Sequence, residues 1–225
     1  MDRTPDTLSS STNRALRRLV VPAIILLGLL LVTASFLVDA AVTPSILAAN
    51  HGHWNHSRIV ALCSQYGDWP ELMILGLLGY VLARWLRNVR WQKILLAAMI
   101  ASTLSGMTAN ALRLTTGRTR PRAVAEQGWY GPKHGDQWLI GQADFNSFPS
   151  GHTATAFGFA GVLLFASPLW GLPAMLVAAA IALSRLLLGA HHPSDIVIAA
   201  AMALAIAWWV WKKSRSRRSP QEGSC

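Results

Sequence analysis

The chain has 225 residues, 52% hydrophobic and 13% charged, with a formal net charge of +10 and a mean hydropathy of +0.35. A soluble domain carries about 25% charged residues, so half that fraction leaves too little polar surface for a soluble monomer. The apolar content excludes disorder, and two cysteines, Cys63 and Cys225, exclude a disulfide scaffold or a multi-cysteine zinc module.

A polar tail runs to about Arg14 and is expected to be mobile. The uncharged run Leu19 to Val38 follows, long enough for a hydrocarbon core of about 30 Å. Arg14, Arg17 and Arg18 precede it, and Val38-Asp39-Ala40 loosely resembles a signal cleavage site. A signal h-region is only about 7–15 residues, which favours an uncleaved anchor. Phe36 to Ala49 either continues this helix or lies along the membrane surface. Five further apolar stretches give six expected spans, near 19–38, 69–86, 93–112, 152–168, 172–189 and 194–211. Ser167-Pro168 and Gly171-Leu172-Pro173 separate the fourth from the fifth as a tight turn. Trp54, Trp69, Trp85, Trp91, Trp170 and the Trp208-Trp209-Trp211 cluster fall near span ends, the depth at which amphipathic rings collect.

The expected fold class is all-α, an integral membrane bundle of six transmembrane helices with a long extracytoplasmic loop. Arg3, Arg14, Arg17 and Arg18, then Arg84, Arg87, Arg90 and Lys93, then Lys212, Lys213, Arg215, Arg217 and Arg218 account for 13 of the 20 basic residues. With six spans they share one face, which the positive-inside rule makes cytoplasmic. The division is a cytoplasmic tail (1–18), a six-span domain (19–211) and a basic cytoplasmic tail (212–225). Topology thus explains most of the charge, and no nucleic-acid partner is expected; the bilayer is, with the tails touching anionic lipid.

The segment 113–151 lies on the opposite, outer face, yet it carries Arg113, Arg118, Arg120, Arg122 and Lys133. Cations clustered at a span end suit an anion, and the planar fork of Arg suits phosphate. Phe148-Pro149-Ser150-Gly151-His152 then leads into an apolar helix. Ser150 is placed as N-cap, Gly151 admits a ligand close to the backbone, and first-turn N–H groups favour negative charge. Arg185 closes an otherwise uncharged span, where a charge is costly and by default functional. His191-His192-Pro193-Ser194-Asp195 follows, with Gly189 ending one helix and Pro193 starting the next. Asp195 is expected to accept from one ring nitrogen of His191, leaving the other as a nucleophile.

These blocks resemble the type 2 phosphatidic acid phosphatase superfamily, whose signature is Lys-x6-Arg-Pro, Pro-Ser-Gly-His and Ser-Arg-x5-His-x3-Asp. The chain reads Arg113-x6-Arg120-Pro121, Pro149-Ser150-Gly151-His152 and Ser184-Arg185-x5-His191-x3-Asp195. It departs once, with Arg113 at the usual Lys. The resemblance implies a phosphohydrolase with no metal and no cofactor. His191 attacks phosphorus to form a phosphohistidine, Asp195 orients it, and His152 is general acid and then base. Arg113, Arg120 and Arg185, with Ser150 and the Gly151 backbone, hold the phosphoryl oxygens.

The implied substrate is a membrane phospholipid or isoprenoid phosphate that loses its terminal phosphate: undecaprenyl diphosphate, phosphatidylglycerophosphate, phosphatidic acid or a lipid A phosphate. The implied setting is the bacterial cytoplasmic (inner) membrane, with the site facing the periplasm or exterior. Phosphotransfer from the same phosphohistidine, and non-catalytic phospholipid binding, are the alternatives. His51, His53 and His56 read as an interfacial loop more than a metal site. His192 reads as a neighbour of the nucleophile. His134, Asp136, Trp129 and Trp138 read as loop anchors, and either Arg118 or Arg122 as reaching the substrate. Gly76 and Gly79 read as helix-packing positions, and Cys63 as a small packing residue.

Overall fold

A computed structural model describes residues 6–50 and 58–216. The protein is built of helices: α1 (Asp6–Asn50), α2 (Arg58–Tyr66), α3 (Trp69–Trp85), α4 (Val89–Thr116), α5 (Gly151–Ala166), α6 (Pro168–Leu187) and α7 (Pro193–Ser216). The all-α expectation omitted a small hairpin in the long loop, β1 (Lys133–His134) paired antiparallel with β2 (Gln137–Trp138). It also omitted α2, whose buried Val60 and Ser64 lie one turn apart. The His51, His53 and His56 loop lies outside the described residues.

Among the described residues, four helices are long and apolar enough to cross a membrane: α1 over Leu26–Ser45, and α4, α6 and α7. At 17 and 16 residues, α3 and α5 are shorter than the expected spans. Phe36 to Ala49 continues the first helix, one of the two alternatives, as α1 runs past the expected span through Asp39 and Pro44 to Asn50; it already begins at Asp6 within the expected polar tail. Its polarity is inverted. Ser35, Asp39 and Thr43, each four residues apart, are buried, whereas Leu26, Leu27, Leu30, Leu31 and Leu37 are exposed. Residues at i and i+4 share a helix face, so α1 turns a polar stripe inward and an apolar surface outward.

The turn between α5 and α6 is shorter than expected. Ser167 alone breaks the helix, and Pro168 occupies the first position of α6, where its missing N–H costs nothing. Gly171 and Pro173 are therefore helical. Gly171 lies so close to α5 that a Cβ there would sit 2.1 Å from the Leu164 Cα.

At the centre, α5 packs on α4, α6 and α7 and also touches α3. Ala97, Ala98 and Ala101 of α4 meet Phe159 and Val162 of α5 and Ala207 and Val210 of α7. Small residues let the backbones approach where lipid gives no hydrophobic drive to associate. Gly76 and Gly79 do the same between α3 and α4: added Cβ atoms would lie 2.7 Å from Met99 Cγ and 3.2 Å from Leu95 Cδ1.

The bundle has two distinct ends. Arg90, starting α4, donates to the carbonyl of Ala166, ending α5. At the other end, Asp39 meets Ser194 at the start of α7, and Arg185 reaches Ser64 of α2. The 113–151 loop and the His191–Asp195 turn thus share one end, and the basic α3–α4 link shares the other with the end of α7.

Gly158→Ala should test this packing. Its Cβ would lie 2.7 Å from Ser105 Oγ and 2.9 Å from the Ala101 carbonyl oxygen, with backbone that cannot yield. A loss of about 1–3 kcal/mol is expected, read as a lower thermal unfolding midpoint in detergent. Gly79→Ala, which meets only the flexible end of Leu95, should unfold close to wild type.

Candidate active site

The first block straddles a helix end. Arg113 lies in the last turn of α4, and Gly117, with φ of 56°, terminates the helix in the left-handed region. A Cβ at Gly117 would sit 1.9 Å from the Gly131 carbonyl oxygen, so no other residue fits. The turn sends Arg118 and Arg120 back across the bundle end. Arg113 Nε donates to the Pro149 carbonyl (2.9 Å) and NH1 to Asn110 Oδ1 (3.2 Å).

The second block is the start of α5. Ser150 is the N-cap, its Oγ accepting from the Thr153 N–H and, at 2.9 Å, from the Thr153 hydroxyl. The first N–H groups of any helix lack intrahelical acceptors, and here they belong to Gly151 and His152. The Arg113 guanidinium lies against Gly151 so closely that a Cβ there would meet NH2 at 2.9 Å. His152 points its Nε2 toward Asp68 Oδ2, 3.7 Å away. Asp68 caps α3 through Oδ1, which accepts from the Trp69 N–H at 2.8 Å.

The third block corrects an expectation. His191 is 1% exposed, and its Nδ1 lies 2.7 Å from the Ser147 carbonyl oxygen. A carbonyl only accepts, so Nδ1 carries the proton and Nε2 keeps its lone pair. Ser147, not Asp195, takes the ring N–H; Asp195 Oδ2 stands 3.6 Å from Nδ1. The carboxylate is occupied elsewhere. Oδ2 accepts from the Ser147 hydroxyl (2.5 Å) and the His192 N–H (2.8 Å), the latter as in a capping box at the start of α7. Oδ1 accepts from Arg118 NH1 (2.5 Å). Of Arg118 and Arg122, one of which was expected to reach the substrate, Arg118 is buried and turned to Asp195, Ser194 and Asp39.

A cavity of about 400 Å³ is lined by residues of the first two blocks, among them Arg113, Gly151 and His152, with Asn110 and Asp68; His191, Arg120 and Arg185 do not line it. The charges of Arg120, Arg185 and Asp195 act on Arg113, and those of Arg113, Arg120 and Arg185 act on His152. All three blocks therefore meet within electrostatic reach. The buried Nε atoms of Arg120 and Arg185 have no hydrogen-bond partner, and among the described residues Arg113, Arg120 and Arg185 form no salt bridge. Unpaired buried donors on clustered cations suit an anionic ligand. Burial, and next Arg122, lower the Arg120 pKa against Asp144 and Asp195.

Neighbouring residues take supporting positions. His192 Nε2–H donates to the Thr119 carbonyl (3.1 Å), so its Nδ1 accepts from the Thr43 hydroxyl (3.2 Å). Trp129 stacks on Arg118 at 4.6 Å, and His134 packs edge-on to Tyr130. Arg122 and Trp138 are exposed, and Cys63 is a free, partly exposed thiol on α2. Sequence reasoning missed Asp39, Asp68 and Ser147. In the sequence Asp39 reads only as part of the cleavage-like Val38-Asp39-Ala40; the other two carry no motif.

The fold has a solved counterpart. A crystal structure of a transmembrane PAP2-type phosphatidylglycerolphosphate phosphatase from Bacillus subtilis aligns over 88% of this chain and 96% of that one, with a TM-score of 0.54 and 17% identity. That identity carries fold alone. The family model of the PAP2 superfamily matches residues 91–219, more than half of the chain, and the protein belongs to that superfamily. Similar curated proteins include the lipid A 1-phosphatase of Rhizobium etli, 30% identical over 163 residues (66% of this chain, 65% of that protein). The lipid A 1-phosphatase of Rhizobium johnstonii is 30% identical over 105 residues (47% and 40%). The chain spans less than two thirds of the length of these relatives.

Burial, opposed by Asp195 and reinforced by Arg113 and Arg185, pushes the His191 pKa down to about 4 from the usual 6.5. The ring should stay neutral, with the proton on Nδ1, down to about pH 5, as read from ¹⁵N-histidine spectra of the detergent-solubilised protein. The unfolded chain binds a proton near 6.5 and the folded one does not, so stability from this group should fall as pH drops from about 6.5 to 4.

Proposed function

We propose that this protein is an integral membrane lipid phosphatase that removes a terminal phosphate from a lipid phosphate or diphosphate through a phosphohistidine. The observation that carries this reading is the convergence of three guanidiniums lacking salt-bridge partners on His152, two of which, Arg113 and Arg185, also act on a His191 whose Nε2 is free. Phosphoryl transfer asks mainly for positioning and charge stabilisation, which this arrangement supplies. His191 Nε2 attacks phosphorus and forms an N–P bond as the P–O bond to the lipid breaks. His152 gives its proton to the departing oxygen, then takes one from the water that cleaves the N–P bond. Arg113, Arg120 and Arg185, the Ser150 hydroxyl and the Gly151 N–H hold the phosphoryl oxygens. Asp195, 3.6 Å from the attacking ring, stabilises its cationic form.

We place the site at the extracytoplasmic headgroup level of a bacterial inner membrane, with both termini cytoplasmic and six helices spanning. The basic residues gathered at the other end of the bundle support that orientation. α5 is short for a span, but it is encased by its neighbours, so it need not match the lipid thickness. The lipid A 1-phosphatases among the relatives favour a lipid A 1-phosphate over the other candidates.

The test is phosphate release by the purified protein in detergent, with EDTA present, against lipid A, phosphatidylglycerophosphate, phosphatidic acid and undecaprenyl diphosphate. Release from lipid A, undiminished by EDTA, is expected. His191→Ala should abolish both turnover and the phosphoenzyme. His152→Ala should slow turnover by about 10²–10⁴-fold and leave acid-labile phosphoenzyme trapped. Normal turnover by His191→Ala would end the mechanism.

A further inference from the structure

Arg118 is the buried cation that the mechanism above does not use. NH1 binds Asp195 Oδ1 (2.5 Å) and Ser194 Oγ (2.7 Å), while NH2 binds Asp39 Oδ2 (2.6 Å). Asp39 in turn accepts from the Ser194 N–H (2.9 Å) and from its hydroxyl (2.6 Å). The guanidinium is covered by the Trp129 ring at 4.6 Å and flanked by Phe36 at 5.8 Å. One planar group thus joins α1, the long loop and the first turn of α7. Both carboxylates are buried, and each would be an uncompensated charge without it.

We infer that Arg118 and Asp39 form a positioning clamp that fixes Asp195, and through it the Ser147–His191 pair, in the geometry phosphoryl transfer requires. Asp195 has two tasks that conflict unless its charge is partly neutralised. It must hold the Ser147 hydroxyl and the His192 N–H, and it must stand 3.6 Å from His191 without drawing a proton onto the ring. Arg118 removes the conflict by sharing that charge with Asp39. The groups acting on His191 are Asp195 from α7, Arg113 from α4 and Arg185 from α6; Arg118 and Asp39 act through Asp195. Asp39 lies outside the stretch 91–219 that matches the PAP2 superfamily. α1 is then part of the catalytic apparatus and not only an anchor. Arg118 touches no reacting atom; it is a positioning residue.

The inference rests on the proposed phosphatase reading only for its kinetic arm. In Arg118→Ala, kcat should fall roughly 10–100-fold with KM within about threefold, the size of effect seen when an orienting partner is removed. Arg118→Lys should recover part of the loss, since one ammonium can face Asp195 but cannot fork across both carboxylates. Asp39→Asn should fall between wild type and Arg118→Ala.

Independently of activity, ¹⁵N-histidine titration of Arg118→Ala should show His191, with its neighbour Asp195, taking up a proton at higher pH than wild type. A purely structural salt bridge would lower the folded fraction but leave kcat per folded molecule and the His191 titration unchanged, which would overturn the clamp. A rise in KM alone would make Arg118 a substrate ligand and also overturn it. If wild type releases no phosphate from any lipid, the functional reading fails. The titration still decides the clamp.

Discussion

Guanidinium groups at membrane depth need counter-charges, and the way each is met organises this end of the molecule. Arg118 is met from within by two carboxylates, one hydroxyl oxygen and an indole face. Arg113, Arg120 and Arg185 form no such pair among the described residues, and two of them keep a buried N–H unsatisfied. Desolvated cations packed within reach of one another repel, and low local polarity amplifies that repulsion. A dianionic phosphoryl group relieves it. The same physics separates the paired Arg118 from the three arginines proposed to hold phosphate, which residue type and sequence spacing cannot do.

Much of this was legible in the sequence, because helix ends and motifs carry local signals. Ser150 with Gly151, and Gly189 with Pro193, mark where helices stop and start, and the span count put the three blocks on one face before any fold was known. What escaped depends on contacts between distant segments. The ring N–H of His191 goes to a backbone carbonyl, at Ser147, and a carbonyl has no sequence signature. Arg118 and Arg122 were equivalent as loop cations; only packing against Trp129 and Asp39 sets Arg118 apart. The sequence leaves open whether the first helix continues over Phe36 to Ala49, because Asp39 interrupts the apolar run. Its carboxylate is fully engaged, so the helix passes through it.

The inverted polarity of α1 follows from the same contact. A helix facing lipid needs no polar stripe, yet Ser35, Asp39 and Thr43 are buried one above another. Thr43 meets His192 and Asp39 meets Arg118 and Ser194, so the stripe is the seam along which α1 docks on the catalytic turn. Burying an acid is costly unless it is paired and hydrogen-bonded, and Asp39 has both. Register along α1 is therefore set by polar contacts at one depth, while the leucines on its outer face are free to slide in lipid.

Arg113 at the position where the resembling family usually has lysine finds its explanation in the same surroundings. Its Nε and NH1 anchor to Pro149 and Asn110, and the plane of the fork lies against Gly151. A lysine could offer charge there but only one nitrogen, and it would leave the Pro149 carbonyl and the flat surface over Gly151 without a partner. The arginine fixes the backbone that starts α5 with one edge and keeps NH2 beside the first-turn N–H groups with the other. Charge for the ligand and rigidity for the helix start then come from a single side chain. Gly151 is required so that the guanidinium can lie against the helix start.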